Sequence, residues 1–212
     1  MIPLRDTTPT RRTNPTLNPT GENWGEHKPD LKADFNNHCG YCHSFDGHRH
    51  TYFEVDHFVP KAEIKKNGWP ISLTGYSNLV YSCKFCNNKK LNKWITNSPT
   101  VYNDGTTGFV DPCDVVYDTL FYRTADGAIR PVAHSNLAKW MYKEAFKFDE
   151  RERSIIVLWN MNRLRQIIDA LILQLNTHAV GSNDYNIIKL KLGEFTLEYY
   201  IFHNELIEFY EQ

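Results

Sequence analysis

The chain has 212 residues, is 41% apolar and 14% aromatic, and carries a formal net charge of -1. That length holds one domain with a good core, or a small domain plus a second lobe, and the composition excludes a disordered chain. No apolar run reaches the roughly 18 residues of a membrane span. The first twenty residues lack the apolar core of a signal peptide, so a cytoplasmic protein without membrane contact is expected.

Residues 1–30 are rich in Thr, Pro and Asn and read as an extended arm. Arg11 and Arg12 are within its reach for phosphate but fit a solvated tail better, and Trp24 is expected to pin the arm down. Residues 31–97 form the next segment. Residues 31–38 suit a short helix or turn, and β-branched and aromatic residues at 51–55 suit a strand that ends at Asp56 and His57. Pro60 starts a loop, Asn78–Tyr81 reads as a second strand, and Asn87–Trp94 as a helix. Strand, loop, strand and helix make a ββα unit.

Residues 98–134 are loop and β-hairpin, with strands over Val115–Arg123 and Ala128–Val132 flanking an Asp126-Gly127 turn. Residues 135–212 are helical. Ser135 caps a helix running to about Phe148, and Asp149 with Glu152 resembles a capping box. Val157, Met161, Leu164, Ile168, Leu171 and Leu175 then step by three or four. Gly181 and Ser182 break the pattern, and Ile188, Leu192, Phe195, Tyr199, Phe202, Leu206 and Phe209 resume it. Two such helices predict an antiparallel hairpin whose aromatic stripes are core. The fold class is α+β.

Four of the five cysteines fall into two CxxC pairs, Cys39/Cys42 and Cys83/Cys86. In a reducing compartment, such pairs are metal ligands rather than disulfides. Two thiolates from each pair reach one tetrahedral ion, the ligand set of a closed structural Zn²⁺ site. A redox dithiol does not explain two pairs. The leftover Cys113 fits a bland buried role. His38, His43, His48 and His50 crowd the first pair and read as surface or supporting groups, because four thiolates already fill the site.

The long insertion between the pairs carries residues suited to phosphodiester hydrolysis. His57 can accept a proton from water near neutral pH. Asp56 is a hard oxygen ligand for Mg²⁺ or Mn²⁺, and the amide oxygen of Asn87, next to a zinc ligand, completes that site. Asn78 has the donors and acceptor of a loop clamp. Lys89 and Lys90 are placed to offset phosphate charge. Adjacent strand residues face opposite ways, so Asp56 and His57 serve one site only where the strand ends. Residues 31–97 hold nine Lys and Arg against five Asp and Glu, whereas residues 141–212 hold eight against eleven. The basic segment coincides with the metal motifs and suits a phosphate-bearing partner.

Glu54-Val-Asp-His-Phe-Val-Pro60, Ser77-Asn-Leu-Val80 and Cys83-Lys-Phe-Cys-Asn-Asn-Lys-Lys90 together resemble the HNH endonucleases, the His-Me finger nucleases. The resemblance covers about residues 36–94. It implies a zinc-stapled ββα-metal fold, His57 as general base, Asp56 and Asn87 as ligands of the catalytic metal, and Asn78 as brace of the loop carrying the histidine. Asn at position 87 makes this an HNN variant and favours Mg²⁺ or Mn²⁺ over softer ions. Pro60-Lys61 and the Cys-Asn-x-x-Lys run are similar to the small HNH nucleases of bacterial anti-phage systems, such as the Septu type. Those usually work beside an ATPase. The implied substrate is nucleic acid, with DNA favoured, and an oligomer is compatible with the sequence. The alternatives are a non-catalytic zinc-stabilised nucleic acid binding module and an interaction subunit whose helical hairpin docks a larger enzyme.

Overall fold

Strand β2 (Phe53–His57) pairs antiparallel with β3 (Leu79–Cys83), with Phe53 opposite Cys83 and His57 opposite Leu79. Helix α3 (Lys84–Lys90) follows β3 directly, capped by Cys83. This is the ββα unit of the computed structural model, which describes residues 1–211. Its helix starts three residues before the expected Asn87 and ends where Leu91 turns to a positive φ of 47°. Cys86 and Lys90, one turn apart, are therefore the buried positions of α3. Asn78 sits in a short 3₁₀ turn ahead of β3 rather than in the strand.

The chain divides into two compact units, one ending at Arg151 and one beginning at Glu152. In the first, the arm is tied down along its length. Strand β1 (Ile2–Pro3) joins a three-stranded sheet with β4 (Phe121–Arg123) and β5 (Ile129–Pro131), in the order β1-β4-β5. Arg5 donates to the Gly40 and Pro112 carbonyls and pairs with Asp118. Arg11 donates to the Leu79 carbonyl and Asp111, and Arg12 bridges Asp30 and Asp34. Both arginines are thus engaged within the protein and only partly exposed. Helix α1 (Lys28–Asp34) follows with Pro29 in its first turn, where a missing N–H costs nothing. The core gathers around Leu31, Phe35, Phe58, Tyr81, Phe109 and Phe146.

Helix α2 (Lys61–Asn67) fills part of the loop expected after Pro60. Val115–Asp118 is a helical turn, α4, not the start of a strand. Asp114 accepts from the Val116 N–H and caps it, so local capping overrides the β-branched pair. The hairpin strands are short, β4 (Phe121–Arg123) and β5 (Ile129–Pro131). Ser135 caps α5 (Asn136–Trp140) as expected, and a π turn at Met141–Ala145 continues it.

In the second unit, α6 (Arg153–Leu175) and α7 (Asn183–Tyr210) form the helical hairpin. Glu152, without a side-chain cap bond, occupies the N-cap of α6. The expected Asp149 cap fails because Phe148–Glu150 makes a 3₁₀ turn and Lys143 takes the Asp149 carboxylate. Ser182 caps α7 through the Tyr185 N–H. Arg153–Glu205 and Arg163–Glu198 pairs join the two helices. Among the described residues, no helix is long and apolar enough to cross a membrane.

Candidate active site and metal centre

The four paired cysteines are fully buried, and their sulfurs lie within 4.8 Å of one another. Zinc–thiolate bonds of about 2.3 Å set sulfurs roughly 3.8 Å apart around one ion, so the donor set fits a tetrahedral metal. Cys42 and Cys83 sulfurs, one from each pair, are 3.7 Å apart. The guanidinium of Arg151 donates toward Cys86 Sγ and Cys83 Sγ, at 3.6 and 3.7 Å, and to the Ser44 hydroxyl at 2.8 Å. A half-buried cation there offsets thiolate charge. Glycine at position 40 is required by close approach: a Cβ would stand 2.7 Å from Phe35 and 2.8 Å from Val80. That approach lets the Gly40 N–H bond the Tyr81 carbonyl of β3 at 2.8 Å. The fifth cysteine, Cys113, is half-buried, and burial pushes its thiol up to about 11.

The centre reaches Asp56 from both sides. Tyr41, inside the first pair, donates its hydroxyl to Asp56 Oδ2 at 2.6 Å. Lys90, one turn past Cys86, places its ammonium 3.0 Å from the same oxygen and 2.7 Å from the His57 carbonyl. Lys90 is completely buried, so it does not meet a phosphate as the sequence suggested. Its long side chain turns inward because a buried carboxylate and a strand-end carbonyl both need a donor. Lys89 is ion-paired with Glu150 at 2.7 Å.

His57 closes β2. Its Nε2 lies 2.8 Å from the Leu73 carbonyl. A carbonyl only accepts, so Nε2 carries the proton in the neutral ring and the Nδ1 lone pair is left open. The Trp24 ring packs edge-on against the imidazole at 4.9 Å. Burial, aided by the charges of Lys90 and Lys61 and opposed by the Leu73 bond and Asp56, holds the imidazolium below its ordinary range, so the ring is neutral at pH 7. Asn78 clamps the turn just after His57. Its Oδ1 accepts from the Val59 N–H at 2.8 Å and its Nδ2 donates to the Val59 carbonyl at 3.1 Å.

His57, Asp56 and Asn87 border one cavity of about 440 Å³. Asn87 donates its amide to Glu54 Oε2 at 2.6 Å. A carboxylate cannot donate, so this bond fixes the amide nitrogen on Glu54 and leaves the amide oxygen for another partner. The oxygen donors of Asp56 and Asn87 are hard ligands that fit Mg²⁺ or Mn²⁺. The remaining lining includes Trp24, Lys28 and Lys61. Glu54, Tyr41, Trp24, Lys28 and Lys61 were not assigned to the site from sequence. Glu54 was readable, because it lies two residues before Asp56 on the same face of a strand.

The clustered cysteines, and the histidine, carboxylate and amide that border one cavity, lie on or beside one strand–strand–helix frame. Residues 39–93 match the HNH endonuclease family model. A 71-residue stretch is also 38% identical to the Septu protein PtuB of Bacillus thuringiensis, over 32% of this chain and 25% of that protein. The chain thus spans about a quarter of that relative's length. The HNH match encloses both cysteine pairs, Asp56, His57, Asn78 and Asn87. A ββα core with four clustered cysteines and a β-hairpin in the first unit, and a helical hairpin in the second, are consistent with the zinc-stapled ββα-metal type.

Proposed function

We propose that this chain is a metal-dependent HNH endonuclease that hydrolyses phosphodiester bonds in nucleic acid, DNA above RNA. The single observation carrying the reading is His57: a ring anchored through Nε2 to the Leu73 carbonyl, with Nδ1 open, in the cavity shared by Asp56 and Asn87. His57 takes a proton from water at Nδ1, and the water attacks phosphorus in line with the leaving 3′-oxygen. Asp56 and Asn87 hold the Mg²⁺ or Mn²⁺. Bound there, such an ion supplies charge to offset that developing on the phosphate and the leaving oxygen. Asn78 keeps His57 at the strand end, and Lys90 keeps Asp56 in place. The four cysteines hold a structural Zn²⁺ that takes no part in the chemistry.

The likeness to a Septu protein supports a role as effector in anti-phage defence, in the cytoplasm, beside an ATPase partner. The boundaries follow the same reading: an arm over 1–30, the nuclease domain over 31–97, a loop and hairpin over 98–134, and helices beyond 135.

The test is incubation of the pure chain with plasmid, single-stranded DNA and tRNA, each with Mg²⁺, Mn²⁺ or a chelator. His57→Ala is expected to abolish cleavage while zinc content and fold stay intact. Full cleavage by that variant overturns the reading. Nucleic acid binding that ignores Asp56 and His57 substitution, with no product in any metal, supports the non-catalytic alternative instead.

A further inference from the structure

The site as described has a base and ligands for a cation, yet neither lysine first assigned to the substrate faces it. Lys90 is buried on Asp56, and Lys89 is held by Glu150. Arg11 and Arg12 are bound to Asp111, Asp30 and Asp34. Two other lysines line the cavity. Lys28 opens α1 and Lys61 opens α2, and both are exposed. Neither makes a salt bridge among the described residues. Their neighbour on α2, Lys65, does, with Glu22. Lys61 is held in position: its ammonium sits 4.6 Å from the centre of the Trp24 ring. The same indole meets His57 edge-on. Trp24 therefore touches both the imidazole and a free cation at the cavity mouth.

We propose that Lys28 and Lys61 are the substrate-binding cations of this site, each holding a backbone phosphate of the nucleic acid strand, and that Trp24 is the positioning residue aligning Lys61 with His57. The inference rests on the nuclease reading and adds the surface along which the strand lies. Two unpaired ammonium groups beside a hydrolytic cavity suit a polyanion with regularly spaced phosphates, and they read charge rather than sequence. The N-terminal segment thus belongs to the site: Trp24 and Lys28 come from it, and the Asp30 and Asp34 bonds to Arg12 hold it in register.

The test uses the full chain with its metal, in a His57→Ala background so that the strand stays intact. The probe is whichever of duplex DNA, single-stranded DNA or tRNA the unmodified chain cleaves, labelled and followed by anisotropy across a salt series. Lys28→Gln and Lys61→Gln are each expected to weaken binding and to flatten the slope of log affinity against log salt by about one unit. Lys65→Gln, a control outside the cavity, is expected to leave the slope unchanged. In the active background, Trp24→Ala is expected to lower kcat, and Trp24→Phe, which keeps an aromatic ring, to restore much of it. Slopes in both lysine variants equal to that of the control overturn the phosphate assignment while leaving the nuclease reading standing. Wild-type kcat in Trp24→Ala overturns its positioning role. Failure of the unmodified chain to cleave any probe removes the nuclease reading, and this inference with it.

Discussion

The Tyr41 hydroxyl and the Asp56 carboxylate meet at 2.6 Å across the wall between the cysteine centre and the cavity. Tyr41 stands between Cys39 and Cys42, so the segment that carries one cysteine pair also sets the position of a candidate catalytic carboxylate. Lys90 does the same from the other pair, through 3.0 Å to the same oxygen.

Removing either donor is expected to cost stability in different amounts. Tyr41→Phe deletes one hydrogen bond to a charged group, worth about 1.5–3 kcal/mol. Lys90→Met leaves Asp56, only 7% exposed, without its cation, and is expected to cost about 3–5 kcal/mol. Adding Asp56→Asn to Lys90→Met should recover part of that loss, since the uncompensated charge goes. Urea denaturation of the three variants measures it, and equal stability in Lys90→Met and the unmodified chain would show that the pair does not hold the site.

Arg151 gives the metal centre its own prediction. Its guanidinium faces Cys83 Sγ and Cys86 Sγ and bonds Ser44. Arg151→Gln removes that charge without touching a ligand. Metal affinity, followed by competition with a chromophoric chelator, should fall roughly 10–100-fold. Complete metal removal should abolish amide-exchange protection across β2 and β3, because the ligands at Cys83 and Cys86 pin the strand end and the helix start. Protection that survives metal removal would separate the fold from the ion.

The arm should respond to acid. Hydrogen bonds from Thr16, with the charge of Arg12, hold the Asp30 carboxyl below its ordinary range. Burial pushes the Asp34 carboxyl upward, but hydrogen bonds from Arg12 and Tyr76 outweigh it and the net shift is downward. Both groups thus favour the folded arm when ionised. Their contribution is complete above the ordinary carboxylate pKa of about 4 and is lost as pH falls through the lower folded values. Limited proteolysis is expected to cut within residues 12–23 only at acid pH. The Asp30→Asn, Asp34→Asn double variant should be cut there at pH 7 as well.

The sequence carried the local features and missed the long-range ones. The CxxC spacing, the strand around residue 55, the Ser135 cap and the stepping of α6 and α7 are all set by neighbours within one or two turns, so pattern alone exposes them. Val115–Asp118 misled because β-branched residues signal strand, while one capping carboxylate at Asp114 decided for helix. Lys90 read as a phosphate contact because it lies in the basic run that follows the second cysteine pair. Its burial depends on a carboxylate 34 positions away that no local pattern announces. Arg11, Arg12 and Trp24 were hidden for the same reason: their partners at Asp111, Asp34 and His57 are brought to them only by the fold.

Glu54 offers the sharpest separation between holding and binding. Its carboxylate fixes the amide nitrogen of Asn87 at 2.6 Å and so turns the amide oxygen toward other partners. Glu54→Ala frees the amide to rotate and should weaken Mn²⁺ binding, read by calorimetry on the zinc-loaded chain, by about 10–100-fold. Glu54→Gln keeps an acceptor for the Asn87 amide through its own carbonyl oxygen, at the loss of one negative charge. If the role is orientation, the glutamine variant binds Mn²⁺ nearly as well as the unmodified chain. If Glu54 instead ligates the ion, both variants lose affinity alike, because a neutral amide is a poorer partner than a carboxylate for a hard cation. Unchanged Mn²⁺ affinity in Glu54→Ala would show that Asn87 needs no such support.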